Sequence, residues 1–169
     1  MSGRLEPLTN RVLRPSVPDD GPRLVAMFER CSPESRYARF LAPLQHFPAS
    51  HLVDVVRSSP VRRSWVVQDV QTAQLVAVGS WFRNAPTTAE LGLLVEDAQQ
   101  RQGYGTAVLE TLADSARAAG VRTLVGNTLA DARHVHGMLR RLGPTEITRD
   151  GHVCTLWVAL DDDEFIRSA

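Results

Sequence analysis

The spacing of apolar residues changes period several times along the chain, and each change predicts an element. "RVLRPSV" reads as a first strand. Asp19 and Asp20 then offer a helix N-cap, and Leu24, Met27, Phe28 and Cys31 follow at i, i+3, i+4 and i+7, the spacing of a core-facing stripe. "SPESRYARFL" restarts a helix, with Ser32 as cap and Pro33 at the first helical position. "PASHLVDVVRSS" predicts another short helix. "SWVVQDV" and "AQLVAVGSWFR" flank a polar "QT" turn and predict an antiparallel hairpin. "TTAELGLLVE" is a further strand, and a helix from Gly103 to Ala119 stops at Gly120, a residue suited to follow a helix end. "VRTLVGNTL" is the next strand. In "DARHVHGMLRRL" one helical stripe carries Val135, Met138, Leu139 and Leu142, and Gly143-Pro144 stops it. "TEIT" and "HVCTLWVAL" close the sheet, and the acidic "DDDE" run reads as a solvated, frayed tail.

This order predicts an α/β domain: a mixed sheet with helices on both faces. No shift in composition marks a second domain, so residues 1–169 read as one unit with a core from about 11 to 158. The 43% hydrophobic content is enough to build that core.

Charge narrows the chemistry. Acidic and basic residues balance at 19 each, so no global field draws in nucleic acid or an anionic membrane. The apolar runs are too short to span a bilayer, and the Arg-bearing, Pro-rich start is not a signal peptide. All 19 basic residues are arginine. Without lysine there is no Schiff-base chemistry and no GxxxxGK[ST] phosphate loop. Cys31 and Cys154 have no metal spacing and read as reduced core thiols of a cytoplasmic protein. His134 and His136 are two apart and diverge on a helix, while His46, His51 and His152 stand alone, so no metal site is expected. No GxSxG is present and neither cysteine has an evident base, which argues against a covalent nucleophile. Trp65, Trp81, Phe82 and Trp157 fall in strands and read as core.

The hinge "QRQGYG" is where an apolar strand ends and a helical pattern starts. Free backbone N–H groups at a positive helix end bind anions, above all phosphates. Gly103 and Gly105 remove Cβ atoms that would hold a diphosphate away, and Arg101 adds charge. The dinucleotide pattern GxGxxG fails because its third position is Val108. A glycine pair that only tightens the turn is the competing reading.

Gln100-x-x-Gly103-x-Gly105 resembles the Q/R-x-x-G-x-G/A signature of the GCN5-related N-acetyltransferase (GNAT) superfamily. The resemblance extends through "AELGLLV", "TAVLETLADSARAAG", "VRTLVGN" and "MLRRLG", from about Arg11 to Val158. "SPESRYARFLAP" is similar to the segment that opens the acetyltransferase domain of bacterial protein-lysine acetyltransferases. The resemblance implies the GNAT fold, a mostly antiparallel sheet whose two parallel strands splay apart around acetyl-CoA. It implies that the pantetheine arm pairs with the backbone of Leu93, Leu94 and Val95. The pyrophosphate would then sit beside Gln100, on the N–H groups of Arg101, Gln102, Gly103, Tyr104, Gly105 and Thr106. It further implies a protein substrate, such as an acyl-CoA synthetase.

A lysine amine with a pKa near ~10.4 is protonated at neutral pH, so a base must take its proton before it attacks a thioester. Glu90 is the candidate. Alternation puts Thr88, Glu90, Gly92 and Leu94 on one strand face, and Ala89, Leu91, Leu93 and Val95 on the other. A carboxylate flanked by apolar residues is expected to be buried, and burial would raise its pKa toward that of a useful base. A Glu paired structurally to an arginine is the alternative. Glu96 and Asp97, at a polar strand end, are expected to be solvated. Asn127 either polarises the acetyl group, or holds a water, or satisfies its own turn.

Three positions depart from the family's pattern. The tyrosine that many members use as general acid aligns with Leu139, the common Asn with Ala132, and the aromatic after Gly143 is Pro144. Transfer to a small amine, or a non-catalytic acyl-CoA-binding regulatory module, therefore stand beside protein-lysine transfer.

Overall fold

The computed structural model describes residues 10–161, so most of the acidic end run lies outside the described residues. Asp161, its first member, is exposed. The seven strands are β1 (Arg11–Pro15), β2 (Arg62–Asp69), β3 (Leu75–Ala85), β4 (Thr88–Val95), β5 (Thr123–Leu129), β6 (Thr145–Asp150) and β7 (Val153–Ala159). They form one sheet in the order β1-β2-β3-β4-β5-β7-β6. Every neighbouring pair is antiparallel except β4 and β5, which run parallel. The helices are α1 (Gly21–Arg30), α2 (Pro33–Phe40), α3 (Ala49–Val56), α4 (Tyr104–Ala118) and α5 (Arg133–Arg140).

Two apolar cores lie on opposite faces of the sheet, as the predicted helix stripes require. Leu24, Met27, Phe28 and Cys31 of the α1 stripe pack with Val55 and Val56 of α3 on Val66, Val78 and Leu94. On the other face Val108, Leu109, Leu112 and Ala116 of α4, with Met138 and Leu139 of α5, cover Ala77, Ala89 and Leu124. The alternation along β4 holds: Leu91, Leu93 and Val95 side with the α4 core, and Leu94 with the α1 core. Each predicted element is present, with ends displaced by one to a few residues because caps and turns, not apolar period, set the boundaries.

Three local expectations need correction. Asp20 precedes α1, yet its carboxylate does not cap that helix. It turns back to accept from Arg14 Nη1 and Nη2 at 2.8 and 2.7 Å and from the Val17 N–H at 2.9 Å, fully buried. Trp157, read as core, is half-buried and belongs to neither apolar cluster. The last correction is Phe82, also read as core. It stands half-buried at the cleft, against the ring of His51. Ser32, by contrast, caps α2 as predicted, accepting from the Ser35 N–H at 3.1 Å.

Burial opposes ionisation of Asp20, but its hydrogen bonds to Arg14 and Val17 and the charges of Arg14 and Arg23 hold its carboxyl below the usual range. Asp20→Asn should cost about 3–5 kcal/mol at neutral pH, the usual loss when one member of a buried pair is removed. A carboxyl with a depressed folded pKa contributes fully above its unfolded value near ~3.9 and loses that contribution in acid. Denaturant titrations should therefore show the gap between wild type and variant narrowing as pH falls below about 4.

Candidate active site

The site begins with a strand pair that stops pairing. Thr88, Ala89, Glu90 and Leu91 of β4 are in register with Thr123, Leu124, Val125 and Gly126 of β5. Beyond Leu91 the two strands part. Gly92–Val95 keep β3 as their one strand neighbour, while Asn127, Thr128 and Leu129 remain paired to β7. Backbone N–H and C=O groups in a sheet interior need partners, so the free edge of β4 invites an extended chain to complete the ladder. A cleft of about 1210 Å³ opens at this parting, between the start of α4, α2 and α5. That is ample for an elongated ligand together with a second substrate.

One end of the cleft is built for anions. Gly103 is the N-cap of α4 with φ of 88°, a conformation that side chains disfavour. Arg101 also has positive φ, 63°, which curls the loop so that successive N–H groups converge. The first intrahelical bond among these residues is from Ala107 N–H to Gly103 C=O, leaving the N–H groups of Tyr104, Gly105 and Thr106 facing the helix start. Gly105 is near Leu93 and Met138: a Cβ there would lie 3.4 Å from Leu93 Cδ2 and 3.5 Å from the Met138 sulfur.

Leu93, Leu94, Val95, Gln100, Arg101, Gly103, Gly105, Thr106 and Asn127 all line the cleft. Tyr104 and Gln102 do not. The Tyr104 ring is buried in the α4 core, with the Arg11 guanidinium 6.0 Å from its centre, so only its backbone is available to a ligand. Gln102 donates to the Ala98 carbonyl at 3.2 Å. Asn127 accepts from Thr155 at 2.9 Å through its Oδ1, leaving its side-chain N–H groups without a partner among the described residues.

Glu90 is exposed, which corrects the expected burial. It lies on the cleft wall at the last paired stretch of β4, with no hydrogen bond or ion pair among the described residues, so the structural pairing to an arginine is also absent. Its charge acts on Arg39, on the facing helix α2, favouring the cation there. Glu34 and Asp54 also line this end of the cleft, Asp54 being paired to Arg62.

Glu96 and Asp97 are not merely solvated. Glu96 takes a fork from Arg30, Nε at 2.9 Å and Nη2 at 3.3 Å. Asp97 accepts from Ser32 N–H at 2.8 Å, Ser32 Oγ at 2.7 Å and Ser35 Oγ at 2.8 Å. Partial desolvation opposes its charge, but these hydrogen bonds prevail and hold its carboxyl below the usual range. Gln100 adds a bond to Ser35 Oγ at 3.1 Å. Thus the loop before α4 is stitched to the start of α2, a link between distant segments that no local pattern carries.

The departures from the family pattern also find their places. Leu139 is a core residue lying close over Gly126 of β5, so α5 presents no acid at that position. Ala132 is the N-cap of α5 and lines the cleft without a side-chain polar group. Among the histidines, His51 lies stacked on Phe47, His136 bonds Thr128 Oγ1 at 2.7 Å, and His152 bonds the Tyr37 hydroxyl at 3.0 Å. No group of three or more His, Cys, Asp and Glu side chains that could hold a metal exists among the described residues. Both cysteines are free and buried. Burial, aided by Asp97 and Glu96, pushes the Cys31 thiol up to about 11, far from nucleophilic use.

A parted parallel strand pair beside an open helix start defines an α/β protein with a site for an extended ligand that carries an anionic group. The sequence matches the Acetyltransferase (GNAT) family across residues 22–143, and the chain belongs to that family, enzymes that move acetyl from acetyl-CoA to an amine. The GNAT domain of S. lividans PAT aligns with a TM-score of 0.78 at 27% identity, covering 88% of this chain and 89% of that one. A cAMP-binding acyltransferase from Mycobacterium smegmatis gives 0.60 at 25% identity over 88% of this chain, which spans 43% of that protein. The yncA protein of Salmonella typhimurium, solved with acetyl-CoA, gives 0.73 at 16% identity over 95% of this chain and 99% of that one, a likeness of fold alone.

Acetyl-CoA should raise the melting temperature, by mass action worth about 2.7 kcal/mol at a hundredfold excess over its Kd. Gly103→Val forces a β-branched residue to the positive φ of the N-cap, and Gly105→Val intrudes between Leu93 and Met138. Both variants should remain folded at lower stability and lose the ligand-induced shift in a thermal melt. An undiminished shift in both would move the phosphate site elsewhere.

Proposed function

We propose that the enzyme acetylates a lysine side chain of a protein, with Glu90 accepting the proton of the attacking amine. The observation that carries this reading is the position of Glu90. It is a free carboxylate on the cleft wall where β4 and β5 begin to part, away from the anion-cradling end. The likeness to the GNAT domain of S. lividans PAT over nearly the whole of both chains supports a protein as acceptor. An acyl-CoA synthetase is a suitable protein substrate.

In this proposal the free edge of Leu93, Leu94 and Val95 holds the pantetheine arm. Gln100 and the N–H groups of Arg101, Gln102, Gly103, Tyr104, Gly105 and Thr106 hold the pyrophosphate, and Asn127, which lines the cleft with its side-chain N–H groups free among the described residues, contacts the cofactor. When bound, acetyl-CoA supplies a thioester that an amine can open directly. Glu90 takes the proton as the nitrogen–carbonyl bond forms and the carbon–sulfur bond breaks. A thiol with a pKa near ~8.5 departs readily, so a leucine at position 139 does not bar the reaction. The reading places the reaction in the cytoplasm, in keeping with two free thiols. Among the described residues no helix is long and apolar enough to cross a membrane.

Glu90→Gln keeps the side chain's shape and removes its basicity. Its turnover of a lysine peptide should fall by about 10²–10⁴ while the acetyl-CoA Kd changes little. Raising the pH should recover part of the rate, because solution then supplies free amine. Wild-type rates at neutral pH in this variant would move the base role to another group or to a bound water.

A further inference from the structure

Arg39 is the unusual cation of this cleft. It comes from α2 and lies flat against β4 where Gly92 has no side chain: a Cβ at Gly92 would stand 2.2 Å from Arg39 Nη2 and 2.4 Å from its Cζ. Its guanidinium carbon is 4.6 Å from the centre of the Phe40 ring, and Nη2 is 3.1 Å from His51 Nε2. No carboxylate lies within ion-pair distance of it among the described residues. The ion-paired arginines of the fold hold Asp or Glu directly, as Arg14 holds Asp20 and Arg30 holds Glu96.

The environment works against this charge without removing it. Burial brings the Arg39 guanidinium down to about 10, and the more distant carboxylate of Glu90 works the other way, so it is cationic at neutral pH. Its one hydrogen-bond partner among the described residues carries no compensating charge. His51 is enclosed by Phe40, Phe47 and Phe82, and burial, followed by the charge of Arg39, pushes it down to about 4 despite Asp54. Neutral His51 therefore accepts from Arg39 and fixes one corner of the fork. A guanidinium has five N–H donors in a plane, and a desolvated one is stabilised by a paired acceptor. Arg39, His51, Glu90 and Gly92 all line the cleft, and the other donors of Arg39 have no hydrogen-bond partner among the described residues.

We infer that Arg39 is a specificity-determining residue that binds a carboxylate of the acceptor, so that the preferred acceptor is an amine with an anionic carboxylate held nearby. This rests on the acetyltransferase reading given above. The spacing follows from the strand. Arg39 covers Gly92, and Glu90 lies two residues away on the same face, about 7 Å along β4. An amine at Glu90 and a carboxylate at Arg39 are therefore separated by roughly the length of a lysine side chain. Two sources have that chemistry: the α-carboxylate of a free amino acid, or an acidic side chain beside a lysine in a peptide.

Steady-state thiol release at saturating acetyl-CoA decides the matter with two matched pairs. One pair is end-blocked Gly-Lys-Glu-Gly against Gly-Lys-Gln-Gly, and the other is L-lysine against L-lysinamide. In wild type at least one pair should favour the carboxylate form by about 10- to 100-fold in kcat/KM, mostly through KM, the worth of a charge-assisted pair. The favoured pair identifies the source. In Arg39→Gln that ratio should collapse toward one, and Arg39→Lys should restore part of it. Gly92→Ala, which crowds the guanidinium from beneath, should also lower the ratio with Arg39 still present. No preference in wild type, or one that persists in Arg39→Gln, overturns the inference.

If no amine turns over, the acetyltransferase reading fails separately. Titration calorimetry then tests the subsite with Nε-acetyl-L-lysine against its amide. Tighter binding of the acid in wild type alone would uphold the subsite, and equal binding would overturn it.

Discussion

Two central strands that run parallel but cannot pair along their whole length set the terms for everything else in this molecule. In an ordinary sheet the backbone groups of Gly92–Val95 would bond β5 as well as β3. Here β5 turns its second half to β7 alone, and the vacated edge faces a cleft. The Val95 carbonyl takes the Gln100 side-chain amide at 3.1 Å, and the rest of this edge has no second strand, which an extended ligand arm can supply. The sheet can keep such an edge because both flanks are secured. Antiparallel ladders run outward from β4 through β3, β2 and β1, and from β5 through β7 and β6.

The parting also explains why side chains from distant parts of the chain converge. α4 starts directly after β4, so its N–H groups necessarily open at the same end of the strand as the cleft. α2 comes from far upstream and is brought to the cleft by polar bonds. Asp97 and Gln100 in the loop before α4 hold Ser32 and Ser35 at its first turn, and Glu96 holds Arg30 at the end of α1. The loop before α4 and the start of α2, which both line the cleft, are thereby fixed to one another.

A basic complement made wholly of arginine is used structurally as much as electrostatically. Arg36 spans the carbonyls of Phe28, Glu29 and Gln45, and Arg117 spans Leu160 and Leu142 while pairing with Asp114. A planar fork of five donors can brace several chain segments at once, whereas a lysine ammonium is a compact point charge on a flexible stem. Arg39 differs from these braces. Among the described residues its fork has one neutral partner, and Arg39 lines the cleft.

The sequence by itself determined the element order, the two faces of β4 and the glycine-opened turn. All of these depend on local period and on residue-specific backbone preference, which act over a few neighbours. It also brought Glu90 forward, because alternation alone sets which way that residue points. Tertiary structure decided what local pattern cannot hold. Glu90 is open to the cleft and not buried, because the partner strand leaves just beyond it. Tyr104, adjacent to both signature glycines, turns inward to the α4 core. Arg39 and His51 were unreadable from spacing, since their meaning comes from meeting each other and Gly92 of β4 across long stretches of chain. Such contacts depend on where separate elements dock, and docking is a property of the whole packed sheet and its helices.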